Sequence, residues 1–393
     1  MFNQLKVLEL ASVLAGPGVG QFFAELGADV IKVENVKTKG DVTRSWKLPT
    51  EEDSDISGYF SAVNWGKRSI GLDISQSEGL TIVHELVKQT DIVVASYKPG
   101  DAEKLNVDYN TLKALKPDLI YGQITGYGPD NPKVGYDAVI QAESGFMYMN
   151  GEASGAPTKM PVALVDVLAA HHLKEGLLVA LINRMSKGEG ALVEVSLLQA
   201  AVSSLANQAT NWLVGGVIPK RKGSEHPNIA PYGDVFTTAD SKSLILAVGS
   251  DKQFAALCKI IDQEQLVDDP RFYTNHERVK NRKLLKQLLK TGIEEFELEE
   301  LAGLLEKDKI PYGRINNIQE VFEQPEARTL LLENTLKSIK GVRTFATRSQ
   351  NLENFSHFAP PPHFGEHTDN ILTAILGFDT TQINDLRAQG IIF

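Results

Sequence analysis

The chain of 393 residues contains one cysteine, Cys258, so no intrachain disulfide can form. The cysteine lies in the apolar segment QFAALCKII, which predicts a buried core thiol rather than a nucleophile. The chain has no signal-peptide pattern at its start and no apolar run of the length that crosses a bilayer. We therefore expect a cytoplasmic protein without a membrane partner.

The chain also has fewer basic than acidic residues, with a formal net charge of −10. This balance argues against nucleic acid as the main partner, although local lysines can still bind a small anion. Metal motifs such as HExxH, paired CxxC and EF-hand loops are absent, as is the GxSxG of serine hydrolases. GPGVG (16–20) lacks the spacing of the GxGxxG dinucleotide fingerprint. We expect neither a metal site nor a permanently bound cofactor.

Short apolar runs alternate with helical stretches along the first part of the chain. Strands are predicted at 6–10, 29–34, 69–74, 91–97 and 118–126. Strands separated by helices indicate an α/β fold with a doubly wound parallel sheet. Ligands of such sheets bind beyond the carboxyl ends of the strands, where GPG, ASYKPG and TGYGPD lie.

The length favours more than one domain. We assign residues 1–214 to a large domain and the Gly- and Pro-rich segment 215–233 to a linker or an active-site loop. Two short strands followed by charged helices predict a smaller α+β unit over 234–320.

Asp166 lies in PVALVDVLAAHHLKEG, between an alternating apolar stretch and a helix predicted to run to about residue 184. Aspartate is a preferred N-cap, so it either caps this helix or is a reactive carboxylate. His171 and His172 follow and either pack or take part in catalysis. Lys67 lies near a predicted strand, and other lysines also lie near strand ends. Such lysines are either solvated at the surface or placed to bind a phosphate-rich ligand.

Segments along nearly the whole chain together resemble the class III CoA-transferases of the CaiB/BaiF type, which include formyl-CoA and carnitine CoA-transferases. The resemblance is carried by VLELASVLAGPGVGQFFAELGADVIKVEN (7–35), GDVTR (40–44), NWGKRSIGLDI (64–74), DIVVASYKPGDAEKL (91–105), YGQITGYGPD (121–130), GYDAVIQAESG (135–145) and VALVD (162–166). It implies a Rossmann-like large domain built from both chain ends, so that 321–393 returns to it. It also implies an inserted small domain and an interlocked homodimer.

The resemblance further implies a mechanism. Asp166 would attack an acyl-CoA thioester, form a mixed anhydride and release CoA, which is returned to an incoming carboxylic acid. Asp137 would support the nucleophile. The positions that would bind CoA, as substrate rather than cofactor, are Ala15, Lys67, Ser96, Tyr97, Lys98 and Lys104, with Gly135 and Tyr136 near the thioester.

Some positions depart from the family pattern. ASYKPG stands where ENFRPG is common, and GSEHPNIAPYG (223–233) replaces a glycine-rich loop, which weakens the case for oxalate as acceptor. His226 in that loop is either a substrate contact or a structural residue. An α-methylacyl-CoA racemase has histidine where this chain has Tyr136, a poor base for an α-proton near neutral pH. Other CoA-ester isomerases or lyases stay open, whereas Asp166 argues against a non-enzymatic acyl-CoA-binding protein.

Overall fold

The computed structural model describes residues 2–334, 339–347 and 358–393. These residues form two compact units. The first comprises Met1–Gly145, Met160–Ala209 and Thr329–Phe393, and the second comprises Phe146–Lys159 and Thr210–Arg328. The domain limits expected from the sequence stay a prediction.

The second unit takes in 146–159, a segment that the sequence-based division counts with the large domain. Arg221 explains this placement, because its guanidinium donates to the carbonyl oxygens of Tyr148 and Gly155 at 3.0 and 3.1 Å. These two hydrogen bonds tie the segment to 215–233, within the same unit.

Six parallel strands form the sheet of the first unit, in the order β3-β2-β1-β4-β5-β6. They are β1 (Lys6–Leu10), β2 (Asp29–Asn35), β3 (Lys67–Leu72), β4 (Ile92–Ala95), β5 (Ile120–Thr125) and β6 (Ala191–Ser196). This is the strand order of the Rossmann fold. The predicted α/β class with a parallel sheet is therefore confirmed, and the third strand begins two residues earlier than expected.

The described residues form the following helices, in chain order. They are α1 (Ala15–Glu25), α2 (Gly58–Ser61), α3 (Ser77–Lys88), α4 (Asp101–Lys104), α5 (Tyr109–Leu115), α6 (Asp137–Glu143), α7 (Phe146–Met149), α8 (Leu164–Lys187), α9 (Leu197–Ser203), α10 (Asn207–Leu213), α11 (Asp251–Ile260), α12 (Asn275–Lys280), α13 (Arg282–Ile293), α14 (Leu298–Lys307), α15 (Ile318–Glu323), α16 (Pro325–Arg328), α17 (Thr368–Leu376) and α18 (Thr380–Ala388).

Helices cover both faces of the six-stranded sheet. On one face α1 packs against α8, and α8 packs against β5 and β6. On the other face an apolar core joins alternate strand residues to α3, α5, α17 and α18. Burial on both faces explains why β4 and the start of β5 are nearly continuous apolar runs in the sequence.

The second unit has its own core. Its antiparallel sheet consists of β7 (Tyr232–Thr237), β8 (Ser243–Ala247) and β9 (Tyr312–Arg314). Side chains of α11, α13 and α14 fill the core with those of the sheet. Cys258 is completely buried there, and burial raises the pKa of its thiol to about 12, which confirms the predicted core thiol. Two paired antiparallel strands, β10 (Leu331–Asn334) and β11 (Ile339–Val342), belong to the first unit.

The described residues contain no candidate membrane span and no candidate metal cluster. None of the helices there is long and apolar enough to span a membrane. No three His, Cys, Asp or Glu side chains of that part are grouped so that they could hold a metal ion.

Candidate active site

Asp166 is the third residue of α8, in its first turn. The N-cap position is occupied by Ala163, whose side chain makes no capping hydrogen bond. The interpretation of Asp166 as the helix cap is therefore wrong, because α8 begins two residues before it. Its carboxylate is free of that structural task.

Asp137 is the residue that satisfies the open end of α8. Its Oδ1 accepts a hydrogen bond from the backbone N–H of Val165 at 2.8 Å, and this N–H is one of the donors that a helix leaves unpaired at its start. Its Oδ2 accepts from Nε2 of Gln141 at 2.7 Å. Asp137 thus holds the turn that carries Asp166, while its charge remains close to the Asp166 carboxylate.

The Asp166 carboxylate lies in an environment that disfavours its charge. The residue is only 9% exposed, and in the described part of the chain no group donates a hydrogen bond to the carboxylate. Burial, followed by the negative charge of Asp137, raises the pKa of Asp166 to about 7. A desolvated carboxylate without hydrogen bonds is a more reactive nucleophile than one in water.

Tyr59 lies within electrostatic reach of both carboxylates. Burial raises the pKa of its phenol, and the charges of Asp166, Asp137 and Asp41 raise it further. Its ring packs edge-on against Trp46, with 5.0 Å between the ring centroids. The phenol is therefore neutral near pH 7 and available as a hydrogen-bond donor.

A cavity of about 910 Å³ opens at the carboxyl ends of β1 to β4. This is the edge of the sheet at which the sequence predicts a ligand. Residues that follow the four strands line it, among them Ser12, Thr38, Lys39, Gly40, Asp41, Lys47, Asp73, Ser75, Ser96 and Tyr97. Apolar residues such as Leu10 and Leu105 line the cavity together with many polar ones, including Lys39 and Lys47. Its acidic residues Asp41 and Asp73 are paired with Lys32 and Lys37, so the cavity suits a large ligand with anionic groups.

Asp41 fixes the loop after β1, which borders the cavity. Its carboxylate accepts from the backbone N–H of Val13 at 3.2 Å and forms an ion pair with Lys32 at 2.9 Å. Val13 has a φ of 73°, a conformation that is unfavourable for a β-branched residue. Ser12 also donates its N–H to Oγ of Ser96 at 3.3 Å. The strained loop is held by these contacts at the point where α1 begins.

Lys67 occupies a different environment from the one expected of a phosphate ligand. It is 1% exposed, and its ammonium donates to Glu9 at 2.7 Å, to the Pro17 carbonyl oxygen at 2.9 Å and to Asn64 at 2.8 Å. All three of its hydrogens are therefore used inside the protein. Burial lowers the pKa of Lys67 to about 8, although the Glu9 carboxylate opposes this effect. Gly20 leaves the space that Glu9 needs, because a Cβ there would lie 1.9 Å from a Glu9 oxygen.

Among the other predicted contacts, Ser96 and Tyr97 line the cavity, whereas Ala15, Lys98 and Lys104 do not belong to its lining. Ala15 is the buried first residue of α1, and Tyr97 lines the cavity, where burial raises the pKa of its phenol to about 12. Lys98 and Lys104 are exposed near α4, and Lys104 pairs with Asp101 at 2.9 Å.

The backbone at Gly135 comes close to the end of β5. A Cβ on Gly135 would lie 2.4 Å from Cα of Gly126, so only glycine fits. Tyr136 follows as the N-cap of α6 with 65% of its surface exposed. This close approach places the start of α6, and with it Asp137, beside the carboxyl end of the sheet.

The histidines have other contacts. His172 hydrogen-bonds through Nε2 to Ser203 on α9 at 3.0 Å, while His171 is exposed on α8. His226 accepts the N–H of Asn228 at Nδ1 and packs its ring against Tyr232, so it organises its own loop. The contacts of His172 and His226 agree with structural roles, whereas the exposure of His171 does not agree with the packing role expected of it.

Sequence reasoning did not identify four residues of this region, namely Glu9, Asp41, Tyr59 and Gln141. Glu9 and Asp41 stand in apolar or turn-like segments that give no sign of a buried ion network. Asp137 and Gln141 are four residues apart in GYDAVIQA, so one helix face carries both, and this spacing was the signal available.

Comparisons with known proteins identify the family of this chain. A sequence model described as CoA-transferase family III matches residues 2–368. A succinate–glutarate CoA-transferase of Agrobacterium fabrum (strain C58 / ATCC 33970) is 39% identical, over 96% of both chains. The succinyl-CoA:glutarate CoA-transferase of Homo sapiens is 35% identical, over 99% of this chain and 89% of the human one.

A solved structure, that of a CaiB/BaiF family protein from Brucella suis, is similar to this chain with a TM-score of 0.84. The two sequences are 38% identical, and the match covers 94% of this chain and 98% of the other. The fold, the family match over nearly the whole chain and the curated relatives all agree. The chain belongs to CoA-transferase family III and is an enzyme of that family.

Proposed function

We propose that the enzyme moves CoA from an acyl-CoA thioester to a carboxylic acid through covalent intermediates on Asp166. The observation that carries the proposal is the buried Asp166 carboxylate, which has no hydrogen-bond donor among the described residues and a pKa of about 7. A structural aspartate at a helix start is normally hydrogen-bonded. Here Asp137 makes that bond instead and leaves Asp166 to react.

The proposed reaction has four steps. The Asp166 carboxylate attacks the thioester carbon, the C–S bond breaks, and CoA leaves as thiolate from a mixed anhydride. The thiolate attacks the Asp166 carbonyl of that anhydride and releases the donor acid as carboxylate. The acceptor carboxylate then attacks the aspartyl-CoA thioester and forms a second anhydride with release of thiolate. The thiolate finally attacks the acceptor carbonyl, which gives the new acyl-CoA and restores Asp166.

CoA is proposed to occupy the cavity after β1 to β4. Ser96 and Tyr97 line it, and Ala15 begins the helix that follows the lining residue Ser12. Lys98 and Lys104, which are next in sequence to the lining residues Tyr97 and Leu105, are proposed to bind the phosphates. Lys67 would act only indirectly, through Glu9, because its own donors are used. Gly135 and Tyr136 are proposed to lie near the thioester, ahead of Asp137.

The acceptor is proposed to be a short dicarboxylic acid, with succinyl-CoA as a donor. The support is that two relatives with 35–39% identity over nearly the whole chain have succinate, or succinyl-CoA, and glutarate in their names. A panel of dicarboxylic acids from two to six carbons, each with succinyl-CoA, tests the proposal. Transfer restricted to monocarboxylic acids would contradict it.

An interlocked homodimer is also proposed, with the domain limits predicted from the sequence. In the first unit Val179, Ile182 and Met185 of α8 are 67–87% exposed. In the second unit an apolar run over 212–218 is likewise exposed. Apolar side chains grouped in this way are typical of interfaces. Light scattering after gel filtration, which would give twice the mass of 43.1 kDa for a dimer, checks this.

Trapping of the intermediates tests the mechanism. Wild-type enzyme is mixed with succinyl-CoA, quenched and analysed by peptide mass spectrometry, with hydroxylamine to convert an anhydride or thioester on Asp166 to a hydroxamate. Asp166→Asn keeps the size of the side chain and should give neither adduct nor transfer. Full transfer by Asp166→Asn would refute the role of Asp166. Deuterium entering the α-carbon from solvent without acyl exchange would instead support racemase chemistry.

A further inference from the structure

Gln141 is a buried side chain of α6 for which the proposed chemistry has no direct use. It is 0% exposed and lies one helical turn after Asp137. Its amide is fully engaged, because Nε2 donates to Oδ2 of Asp137 at 2.7 Å and to the Val162 carbonyl oxygen at 3.3 Å, and Oε1 accepts from the N–H of Met160 at 2.8 Å.

These contacts fix the amide in one orientation. If the oxygen and nitrogen were exchanged, the amide oxygen would face two acceptors and the nitrogen would face the N–H of Met160. The amide therefore joins two things that the sequence separates, the Asp137 carboxylate and the segment that leads into α8. We call these three hydrogen bonds the Gln141 bridge.

The bridge acts on Asp166 from two directions. Through Val162 and Met160 it fixes the chain that enters α8. Through Asp137, whose Oδ1 accepts the Val165 N–H, it also fixes the first turn of α8. The Asp166 carboxylate makes no hydrogen bond to the described residues. Its position is therefore determined by the backbone of the first turn of α8.

We propose that Gln141 is a positioning residue for the nucleophile, which holds Asp137 and the start of α8 so that the Asp166 carboxylate meets the thioester carbon in line. This inference rests on the proposed function, because it assumes attack by Asp166. It predicts that loss of the bridge slows acylation without weakening the binding of CoA, since Gln141 does not line the CoA cavity.

The first test is Gln141→Leu, which keeps the side-chain volume and removes all three hydrogen bonds. We expect formation of the Asp166 adduct in a single turnover to slow by about 10- to 100-fold, the range expected for a misplaced reactive group. KM for succinyl-CoA should stay unchanged, since a positioning defect lowers kcat without removing binding interactions.

Gln21 offers a matched control. It is also 0% exposed, its Nε2 donates to Glu25 at 2.9 Å, and its Oε1 accepts from the N–H of Trp65 at 3.0 Å. Gln21→Leu thus removes a comparable set of buried hydrogen bonds from the same unit, away from Asp137. It should lower the melting temperature as Gln141→Leu does but leave the acylation rate at the wild-type value.

Gln141→Glu adds a pH signature. The introduced carboxyl keeps an acceptor for Met160 but can donate to Asp137 only when it is protonated. Two carboxyl groups in contact share a proton with one raised pKa. The rate relative to wild type should therefore recover as the pH falls, because protonation of the introduced carboxyl restores the bridge and also removes an added negative charge that would raise the pKa of Asp166 further. Gln141→Leu should show no such recovery.

The outcomes separate the two proposals. If wild-type enzyme forms no adduct on Asp166, the proposed function fails, and the inference loses its basis. If wild-type enzyme forms the adduct and Gln141→Leu forms it equally fast, only the inference is overturned. It is also overturned if Gln21→Leu slows acylation as much as Gln141→Leu, because the effect would then be one of general stability.

Discussion

The raised pKa of Asp166 leads to a quantitative prediction for the pH dependence of the reaction. Asp166 must be ionised to attack the thioester, and burial together with Asp137 raises its pKa to about 7. Protonation of the carboxylate removes the nucleophile, so kcat/KM for the donor should rise with pH and level off above the pKa. An aspartate with an ordinary pKa of about 3.9 would give a flat profile over the same range.

The size of the rise follows from the pKa. With a pKa of about 7, roughly 9% of Asp166 is ionised at pH 6 and about 91% at pH 8. We therefore expect kcat/KM for succinyl-CoA to increase about tenfold between these two values. Asp137→Asn removes the second cause of the raised pKa, the charge of Asp137. The rising part of the pH profile should then move to lower pH, because less repulsion opposes ionisation of Asp166.

The assay follows transfer of CoA from succinyl-CoA at substrate concentrations well below KM, in buffers of constant ionic strength from pH 5.5 to 9. The phosphates of CoA titrate near pH 6, so the affinity for CoA itself is measured at each pH to separate binding from reaction. A profile for the wild-type enzyme that is flat between pH 6 and 8 would refute the reasoning. A shift of the rising part of the profile to higher pH in Asp137→Asn would also refute it.

Further predictions concern stability and binding. Asp166→Asn should raise the free energy of unfolding in urea by about 2–3 kcal/mol more at pH 8 than at pH 5. The reason is that the Asp166 carboxyl ionises near pH 7 in the native protein but near pH 4 in the unfolded chain. Asp108→Asn, at a capping aspartate with a lowered pKa, should show no such change. Glu9→Gln should destabilise the protein by about 3–5 kcal/mol, because it leaves the buried ammonium groups of Lys32 and Lys67 without the carboxylate that they share. Glu85→Gln removes a carboxylate from an exposed ion pair and should cost less than about 1 kcal/mol. Lys98→Ala should raise KM for succinyl-CoA about fivefold at low salt and less at high salt.

The sheet could be predicted because the sequence patterns that indicate its strands are local. Apolar runs of four to seven residues that are buried on both faces, separated by helices, predict parallel strands whatever the rest of the chain does. β6 is not among the predicted strands, and its exposed and half-buried positions alternate at the edge of the sheet, which makes its sequence signal weaker. Residues at the carboxyl ends of the strands, such as Ser96 and Tyr97, were found because topology alone brings them to one edge.

The roles of Asp166 and Lys67 depend on residues far along the chain, which local patterns do not reveal. Where α8 begins, and hence whether Asp166 caps it, depends on Asp137, which satisfies the Val165 N–H from 28 residues earlier. Lys67 looks like a strand-end lysine in the sequence, yet it is buried because Glu9, 58 residues earlier, neutralises it. Both differences arise from pairing of polar groups across the fold rather than from propensity.

The lack of a hydrogen-bond donor to Asp166 among the described residues also bears on the order of the proposed steps. In a mixed anhydride the CoA thiolate can attack either carbonyl, and the carboxylate with the lower pKa is the better leaving group. A substrate carboxylate with a pKa near that of a simple alkyl acid, about 4.3, leaves more readily than Asp166 with a pKa of about 7. The thiolate is therefore directed to the Asp166 carbonyl, which gives the aspartyl-CoA thioester and frees the donor acid. The same preference opposes the fourth step, in which Asp166 must leave the second anhydride, so the raised pKa favours accumulation of the aspartyl-CoA thioester between the two half-reactions.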